Sequence, residues 1–120
     1  MSEPAGIRRR PLVVGANHRT SSLGLRDRLF VEDALVPTFL AGLRERGIDQ
    51  ALVLSTCDRV EVQSVDNGEG SAEIILSALA RHGGVALEEL RTQSYTLSDA
   101  HAVDHVFRVA ASLDSLVIGE

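Results

Sequence analysis

The groups best able to do chemistry lie around Cys57, the one cysteine in a chain of 120 residues. A short apolar run, residues 51–54, leads into it, and Arg59 follows two positions later. A thiol that emerges from a buried strand beside fixed positive charge is a candidate nucleophile, because the cation favours the thiolate. Ser55 and Thr56 add hydroxyl groups near the same turn. A lone cysteine is also often a small buried hydrophobic residue, so both interpretations of Cys57 stay open.

Two histidines, His101 and His105, are the other candidate groups. Their i, i+4 spacing puts both imidazoles on one face of a predicted helix, as a metal site requires. Ala102 replaces the glutamate of an HExxH motif and no third ligand is evident, so no metal site is predicted. The apolar stripe of this helix is predicted to be Val103, Val106, Phe107 and Ala110. His105 lies off that stripe, and the i, i+4 pair Asp104–Arg108 favours a solvated polar face there.

A second pattern, Gly68-x-Gly70 between a predicted strand and helix, is similar to part of a dinucleotide-binding loop. The third small position of that loop would be residue 73, which is Glu73. Asp66 and Glu69 would also repel a phosphate group. The sequence therefore offers a candidate nucleophile in this chain but no place for a redox cofactor.

Composition excludes several classes of protein. A single cysteine excludes an internal disulfide framework and a multi-cysteine zinc site. No apolar run approaches the ~20 residues of a membrane span, and no signal peptide is evident, so a cytoplasmic protein without a membrane partner is expected. The 12 basic residues are all arginine, which suits carboxylate and phosphate contacts, although codon bias explains this equally well. The net charge of −5 argues against nonspecific nucleic-acid binding but permits a local contact with an RNA end.

The predicted strands and helices that position these groups indicate an α+β fold. Strands are predicted at 11–15, 51–54, 60–65 and 91–97, and helices over 31–46, over 71–81 and near the C-terminus. The order β-α-β-β-α-β, followed by a C-terminal helix, favours a four-stranded antiparallel or mixed sheet packed with helices. Cys57 and Asp58 fall in the turn of a hairpin between the second and third strands.

Three blocks of this sequence, taken together and in order, resemble the N-terminal catalytic domain of glutamyl-tRNA reductase. They run from Gly15 to Thr20, from Leu54 to Val62 and from His105 to Glu120. The resemblance covers nearly all of residues 12–120. It implies that the Cys57 thiolate attacks the ester that joins glutamate to the 3′ end of its tRNA.

The resemblance also implies roles for other residues. The implied substrate-binding residues are Thr56, Asp58, Arg59, Ser115 and Glu120. Arg59 would pair with the substrate carboxylate. His105 matches a histidine important for activity, and it would either protonate the leaving hydroxyl or polarise the carbonyl. Asp58 stands where the family usually has asparagine, which puts a carboxylate beside the thiol and opposes its ionisation.

In this family the thioester is reduced by NADPH to glutamate-1-semialdehyde for tetrapyrrole, and hence haem, biosynthesis. Family members continue into an NADPH-binding domain and a helical dimerisation domain. The chain is therefore expected to be a flexible lead-in, residues 1–10, and a catalytic domain, 11–120, that is incomplete at its C-terminal end. Such a fragment would bind no cofactor and carry out no reduction by itself. Expected partners are glutamyl-tRNA, glutamate-1-semialdehyde aminotransferase and, through a missing domain, a second copy of the enzyme.

Two other classes of function stay open from the sequence. The first is a noncatalytic α+β module that binds a ligand or a partner, with Cys57 buried and inert. The second is an RNA-binding fold, which predicts tight and salt-sensitive tRNA binding that does not depend on Cys57.

Overall fold

A four-stranded antiparallel sheet forms the centre of the molecule. The computed structural model describes residues 9–68 and 70–118, with side-chain surroundings described through residue 113. In chain order the elements are β1 (Arg10–Asn17), α1 (Leu23–Leu29), a 3-10 turn (Asp33–Leu35), α2 (Val36–Glu45), β2 (Ala51–Ser55), β3 (Arg59–Asp66), α3 (Ser71–Gly83), α4 (Leu87–Thr92), β4 (Tyr95–Ser98) and α5 (Asp99–Ile118). The strand order is β2-β3-β1-β4, and each neighbouring pair is antiparallel. The predicted α+β class is confirmed, and the sheet is antiparallel rather than mixed.

Side-chain alternation along the strands gives the sheet two different faces. One face packs on α1 and α3 and carries most of the buried apolar core. Its strand residues are Leu12, Val14, Ala16, Val60 and Val62, and its helix residues include Leu25, Leu29, Ile75 and Leu79. Because neighbouring residues alternate, Val13, Gly15 and Glu61 lie on the opposite face, where α5 packs against β1 and β4.

The strands β1 and β3 approach unusually closely at Gly15, which pairs with Glu61 in the register of the sheet. A Cβ atom at Gly15 would lie 2.4 Å from the Cβ of Glu61 and 2.6 Å from the carbonyl oxygen of Val60. Both distances are far inside van der Waals contact. The glycine therefore leaves the room that lets the Glu61 side chain stand between the sheet and α5.

The orientation of α5 differs from the prediction. Phe107 is 72% exposed and Val103 is 40% exposed, so the predicted apolar stripe does not face the sheet. The buried positions are instead Ala102 and Val109, and His105 between them is largely covered. The physical reason lies in the sheet, whose face beneath α5 carries a buried carboxylate that a histidine can pair with and a phenylalanine cannot.

Two short helices were not predicted. The seven-residue helix α1 is capped by Ser22, whose hydroxyl accepts a hydrogen bond from the Leu25 N–H at 3.1 Å. Residues 91–97 were predicted to be a strand, but α4 extends to Thr92 and β4 begins only at Tyr95. Periodicity does not distinguish such short segments from strands or loops.

The helix predicted over 31–46 begins later than expected, because a 3-10 turn occupies Asp33–Leu35 and α2 starts only at Val36. Pro37 lies in the first turn of α2, where a proline needs no helical N–H partner. The first strand begins at Arg10, one residue earlier than predicted. Most of the predicted lead-in, residues 1–8, lies outside the described residues. Within the described part of the chain, no helix is long and apolar enough to cross a membrane.

Candidate active site

Cys57 lies at the exposed tip of the turn between β2 and β3. Thr56 shapes this turn: its backbone N–H donates to the Arg59 carbonyl at 2.8 Å, and its Oγ1 accepts from the N–H groups of Asp58 and Arg59, both at 3.2 Å. The predicted hairpin with Cys57 and Asp58 in its turn is therefore confirmed. The alternative that Cys57 is a buried hydrophobic residue is wrong, because the thiol is accessible.

The loop between β1 and α1 packs against the cysteine turn. The His18 N–H donates a hydrogen bond to the Asp58 carbonyl at 2.9 Å. Asn17 holds the loop in shape, since its Oδ1 accepts from the N–H of Arg19 at 2.9 Å and from the N–H of Thr20 at 3.1 Å. Two loops that are distant in sequence thus form one rigid edge beside Cys57.

A buried arginine supports this edge from below. Arg26 is 8% exposed, and its guanidinium donates to the Ser21 carbonyl at 2.7 Å and the Asn17 carbonyl at 3.3 Å. We expect Arg26→Met to lower the free energy of unfolding by about 2 kcal/mol, since hydrogen bonds to charged groups contribute about that much. Urea unfolding tests this, with Arg28→Met on the exposed side of the same helix as the control. An equal effect of both substitutions would contradict the role of Arg26.

A groove of about 390 Å³ opens between this edge and α5. Its lining residues are Asn17, His18, Arg19, Arg59, His105, Arg108, Val109 and Ser112. Among the side chains that the structure describes, the lining includes three arginines and two histidines and no acidic residue, although Arg108 also forms the predicted ion pair with Asp104. Such a lining favours an anionic ligand.

The structure brings two of the predicted site residues, Arg59 and His105, into the wall of this groove. The adjoining turn holds Thr56, Cys57 and Asp58, which are not among the lining residues. The side chain of Ser115 and the whole of Glu120 lie outside the described residues. His101 is exposed, and no group of three or more potential metal ligands occurs in residues 9–68 and 70–118.

Glu61 is the central polar residue beneath the groove, and its side chain is completely buried. The Tyr95 hydroxyl donates to Glu61 Oε1 at 2.5 Å, and the Gln63 amide donates to Oε2 at 2.8 Å. His105 Nε2 lies 2.9 Å from Oε1, and an Arg59 guanidinium nitrogen lies 3.5 Å from it. The carboxylate therefore links the side chains of Arg59 on β3 and His105 on α5 beneath the groove.

Glu61 was not among the site residues predicted from the sequence. The available signal was a glutamate between Val60 and Val62 in a buried strand, since a buried charge must be paired. Gly15, directly opposite Glu61, was a second signal.

Arg59 links Glu61 to the groove. Its Nη1 atom is buried and lies 3.5 Å from Glu61 Oε1, an ion pair longer than a hydrogen bond. The Arg59 side chain also lines the groove, and a guanidinium there suits a ligand that carries a carboxylate.

Burial disfavours the charged form of Glu61, but hydrogen bonds from Gln63, Tyr95 and His105 outweigh it. The pKa of Glu61 therefore lies below its ordinary value of 4.5. Burial, followed by the hydrogen bond to the Glu61 carboxylate, raises the pKa of Tyr95. The lowered pKa of Glu61 and the raised pKa of Tyr95 mean that Glu61 is ionised and Tyr95 is neutral near neutral pH.

Acid should weaken the contribution of Glu61 to stability. The pKa of the Glu61 carboxyl group is lower in the folded chain than its ordinary value of 4.5, so the ionised group stabilises the fold at pH values above 4.5. This contribution is lost as the pH falls through the pKa of the folded state. We expect Glu61→Gln to lower the free energy of unfolding by about 2 kcal/mol at neutral pH, and by less in acid. Urea unfolding at both pH values tests this, with Glu45→Gln as an exposed control. A stability difference between Glu61→Gln and the native chain that is larger in acid than at neutral pH would contradict this expectation.

The sequence is similar to a family described as the N-terminal domain of glutamyl-tRNAGlu reductase, whose model matches residues 14–120. Glutamyl-tRNA reductase from Syntrophus aciditrophicus is 44% identical over 113 residues, which are 91% of this chain and 27% of the relative. Glutamyl-tRNA reductase from Desulforudis audaxviator is 38% identical over 109 residues, which are 90% of this chain and 24% of the relative. The chain thus spans about a quarter of the length of these relatives.

The fold is also similar to a solved structure, glutamyl-tRNA reductase from Methanopyrus kandleri. The two superimpose with a TM-score of 0.60 at 24% sequence identity. The match covers 92% of this chain and 24% of that chain. This likeness shows a shared fold.

Proposed function

Because the chain belongs to the family of glutamyl-tRNA reductase N-terminal domains, we propose that Cys57 takes glutamate from glutamyl-tRNA as a thioester. The observation that supports this most strongly is the accessible Cys57 thiol in a turn that leads directly into Arg59, a residue of the groove wall. The arginine-rich groove beside them suits the substrate carboxylate and the terminal phosphates of a tRNA.

The proposed step is a transfer of the glutamyl group from oxygen to sulfur. The Cys57 thiolate attacks the ester carbonyl, a C–S bond forms, the ester C–O bond breaks, and the tRNA 3′-terminal ribose hydroxyl leaves with a proton. Arg59 would hold the glutamate carboxylate by a charge-assisted hydrogen bond. His105 in the groove wall would supply the proton to the leaving oxygen or polarise the carbonyl. Thr56 and Asp58 would act through the geometry of the cysteine turn.

The Gly68-x-Gly70 segment is a poor candidate for holding the phosphates of a nicotinamide cofactor. In the Gly68–Gly70 turn, the Asp66 carboxylate accepts the Gly68 N–H at 2.8 Å, so a donor that a phosphate would need is already used. We therefore propose that reduction of the thioester by NADPH to glutamate-1-semialdehyde takes place with groups of a longer polypeptide.

Further proposals for that longer protein follow from family membership. Its product would pass to glutamate-1-semialdehyde aminotransferase, and its location would be cytoplasmic. It would form a homodimer through a further domain. Ser115 and Glu120 would contribute to substrate binding.

Alkylation of the folded chain by iodoacetamide tests the proposed site. We expect rapid modification of Cys57, and strong protection by a nonreactive glutamyl ester analogue, because the bound analogue covers the thiol. A glutaminyl analogue should protect weakly, and Arg59→Lys should lose most of the protection, since lysine lacks the planar fork that matches a carboxylate. Equal protection by the two analogues would contradict recognition of glutamate at this groove and favour a noncatalytic module.

A further inference from the structure

We propose that Glu61 is a positioning residue that holds His105 as the Nε2–H tautomer and leaves its Nδ1 atom to exchange a proton with the substrate. The consequence for catalysis rests on the proposed function, whereas the tautomer itself does not. The first step of the argument concerns hydrogen-bond donors and acceptors. An ionised carboxylate only accepts hydrogen bonds, so each group that reaches Glu61 must donate.

Three donors reach the two oxygens of Glu61. The Tyr95 hydroxyl donates to Oε1 at 2.5 Å. The Gln63 amide donates to Oε2 at 2.8 Å. His105 Nε2 is the third group, 2.9 Å from Oε1. Arg59, 3.5 Å from the same oxygen, adds positive charge that favours the ionised carboxylate. Nε2 must therefore carry a hydrogen.

The contact between Nε2 and Glu61 also determines which role is left to Nδ1, the other ring nitrogen of His105. A neutral imidazole with its proton on Nε2 has a lone pair on Nδ1, and a protonated one has an N–H there. Nδ1 makes no hydrogen bond with the described residues, and His105 belongs to the groove wall. Nδ1 is therefore the ring nitrogen left to exchange a proton with the substrate: it accepts a proton in the neutral ring and donates that proton to the leaving oxygen from the protonated ring.

Packing keeps the imidazole in this orientation. The rings of Tyr95 and His105 lie 5.4 Å apart at a 55° tilt, and Tyr95 donates to the same carboxylate oxygen that His105 contacts. Gly15 leaves the space that Glu61 occupies. Sheet, carboxylate and tyrosine together leave His105 little freedom to flip. An interaction of this kind fixes both tautomer and ring orientation, as carboxylates do for metal-bound histidines.

Nitrogen NMR of the His105 ring in the unliganded chain tests the tautomer directly. At a pH where the ring is neutral, we expect a pyrrole-type shift for Nε2 and a pyridine-type shift for Nδ1. Glu61→Gln should give a mixture of tautomers, because an amide can both donate and accept. The opposite tautomer in the native chain would overturn the inference, and this measurement requires no variant to fold.

Transfer kinetics with glutamyl-tRNA test the consequence. We expect Glu61→Gln to lower the single-turnover rate of thioester formation about 10- to 100-fold with little change in the half-saturating tRNA concentration, since loss of a supporting carboxylate typically has this effect. Tyr95→Phe should have a smaller effect in the same direction. Glu73→Gln, which removes an exposed ion pair with Arg91, is the matched control and should leave the rate unchanged.

The outcomes separate the two proposals. If His105→Asn slows transfer but Glu61→Gln does not, the positioning role is wrong and the proposed function stands. If the native chain transfers no glutamate, the proposed function fails, while the tautomer is still read from the NMR spectrum. An unchanged rate of Cys57 alkylation in Glu61→Gln shows that this variant retains the site. If Glu61→Gln does not retain the site, Tyr95→Phe provides the test of the positioning role instead.

Discussion

Cys57→Ser should lower the rate of glutamyl transfer to residue 57 by about 10³-fold or more, because a serine hydroxyl is not ionised at neutral pH and is a far weaker nucleophile. Cys57 is exposed at the tip of a turn, so the substitution removes the thiol without disturbing packed side chains. A single-turnover assay with glutamate-labelled tRNA measures the effect.

Unfolding by urea provides the control for this prediction. The serine variant should unfold at the same urea concentration as the native chain, which separates loss of chemistry from loss of structure. Transfer to the serine variant at more than about a tenth of the native rate would contradict nucleophilic attack by Cys57.

The largest effect on stability is expected from Gly15→Ala. The new methyl group would lie 2.4 Å from the Glu61 Cβ and 2.6 Å from the Val60 carbonyl oxygen, and one of these neighbours is backbone that cannot rotate away. We expect the free energy of unfolding to fall by about 3 kcal/mol or more, at the upper end of the range for overpacked sites. The β1–β3 pairing beneath the groove would also have to shift.

Gly42→Ala is the matched control for the same substitution. Gly42 lies within α2, and a Cβ atom there would meet nothing within 4 Å. Alanine should therefore stabilise the helix by about 0.5–1 kcal/mol, through helix propensity alone. Urea unfolding of both variants measures the difference, and similar stabilities for the two would contradict the close approach of β1 and β3.

The sheet was predictable because its signals are local. Val60 and Val62 alternate with Glu61 and Gln63, and this period of two determines a strand whatever lies around it. The helix face of α5 was not predictable in the same way. Phe107 is more apolar than His105, yet His105 faces the sheet, because the sheet beneath α5 presents a buried carboxylate with which the imidazole pairs.

The candidate site likewise combines relations that are local in sequence with relations that only the fold creates. Cys57 and Arg59 lie two residues apart, so their combination is visible in the sequence. The pairing of Glu61 with His105 joins residues 44 positions apart, and that with Tyr95 joins residues 34 apart. No spacing rule predicts contacts of that range. The supporting groups of the site therefore emerged only from the fold.

The measurement that tests the central claim most directly is mass spectrometry of the native chain after incubation with glutamyl-tRNA. We predict one glutamyl group on Cys57, removable by hydroxylamine as a thioester is, and absent from Cys57→Ser. Deacylated tRNA should leave the chain unmodified. An unmodified Cys57 after incubation with intact glutamyl-tRNA, or a glutamyl group on a different residue, would contradict the proposed acyl transfer.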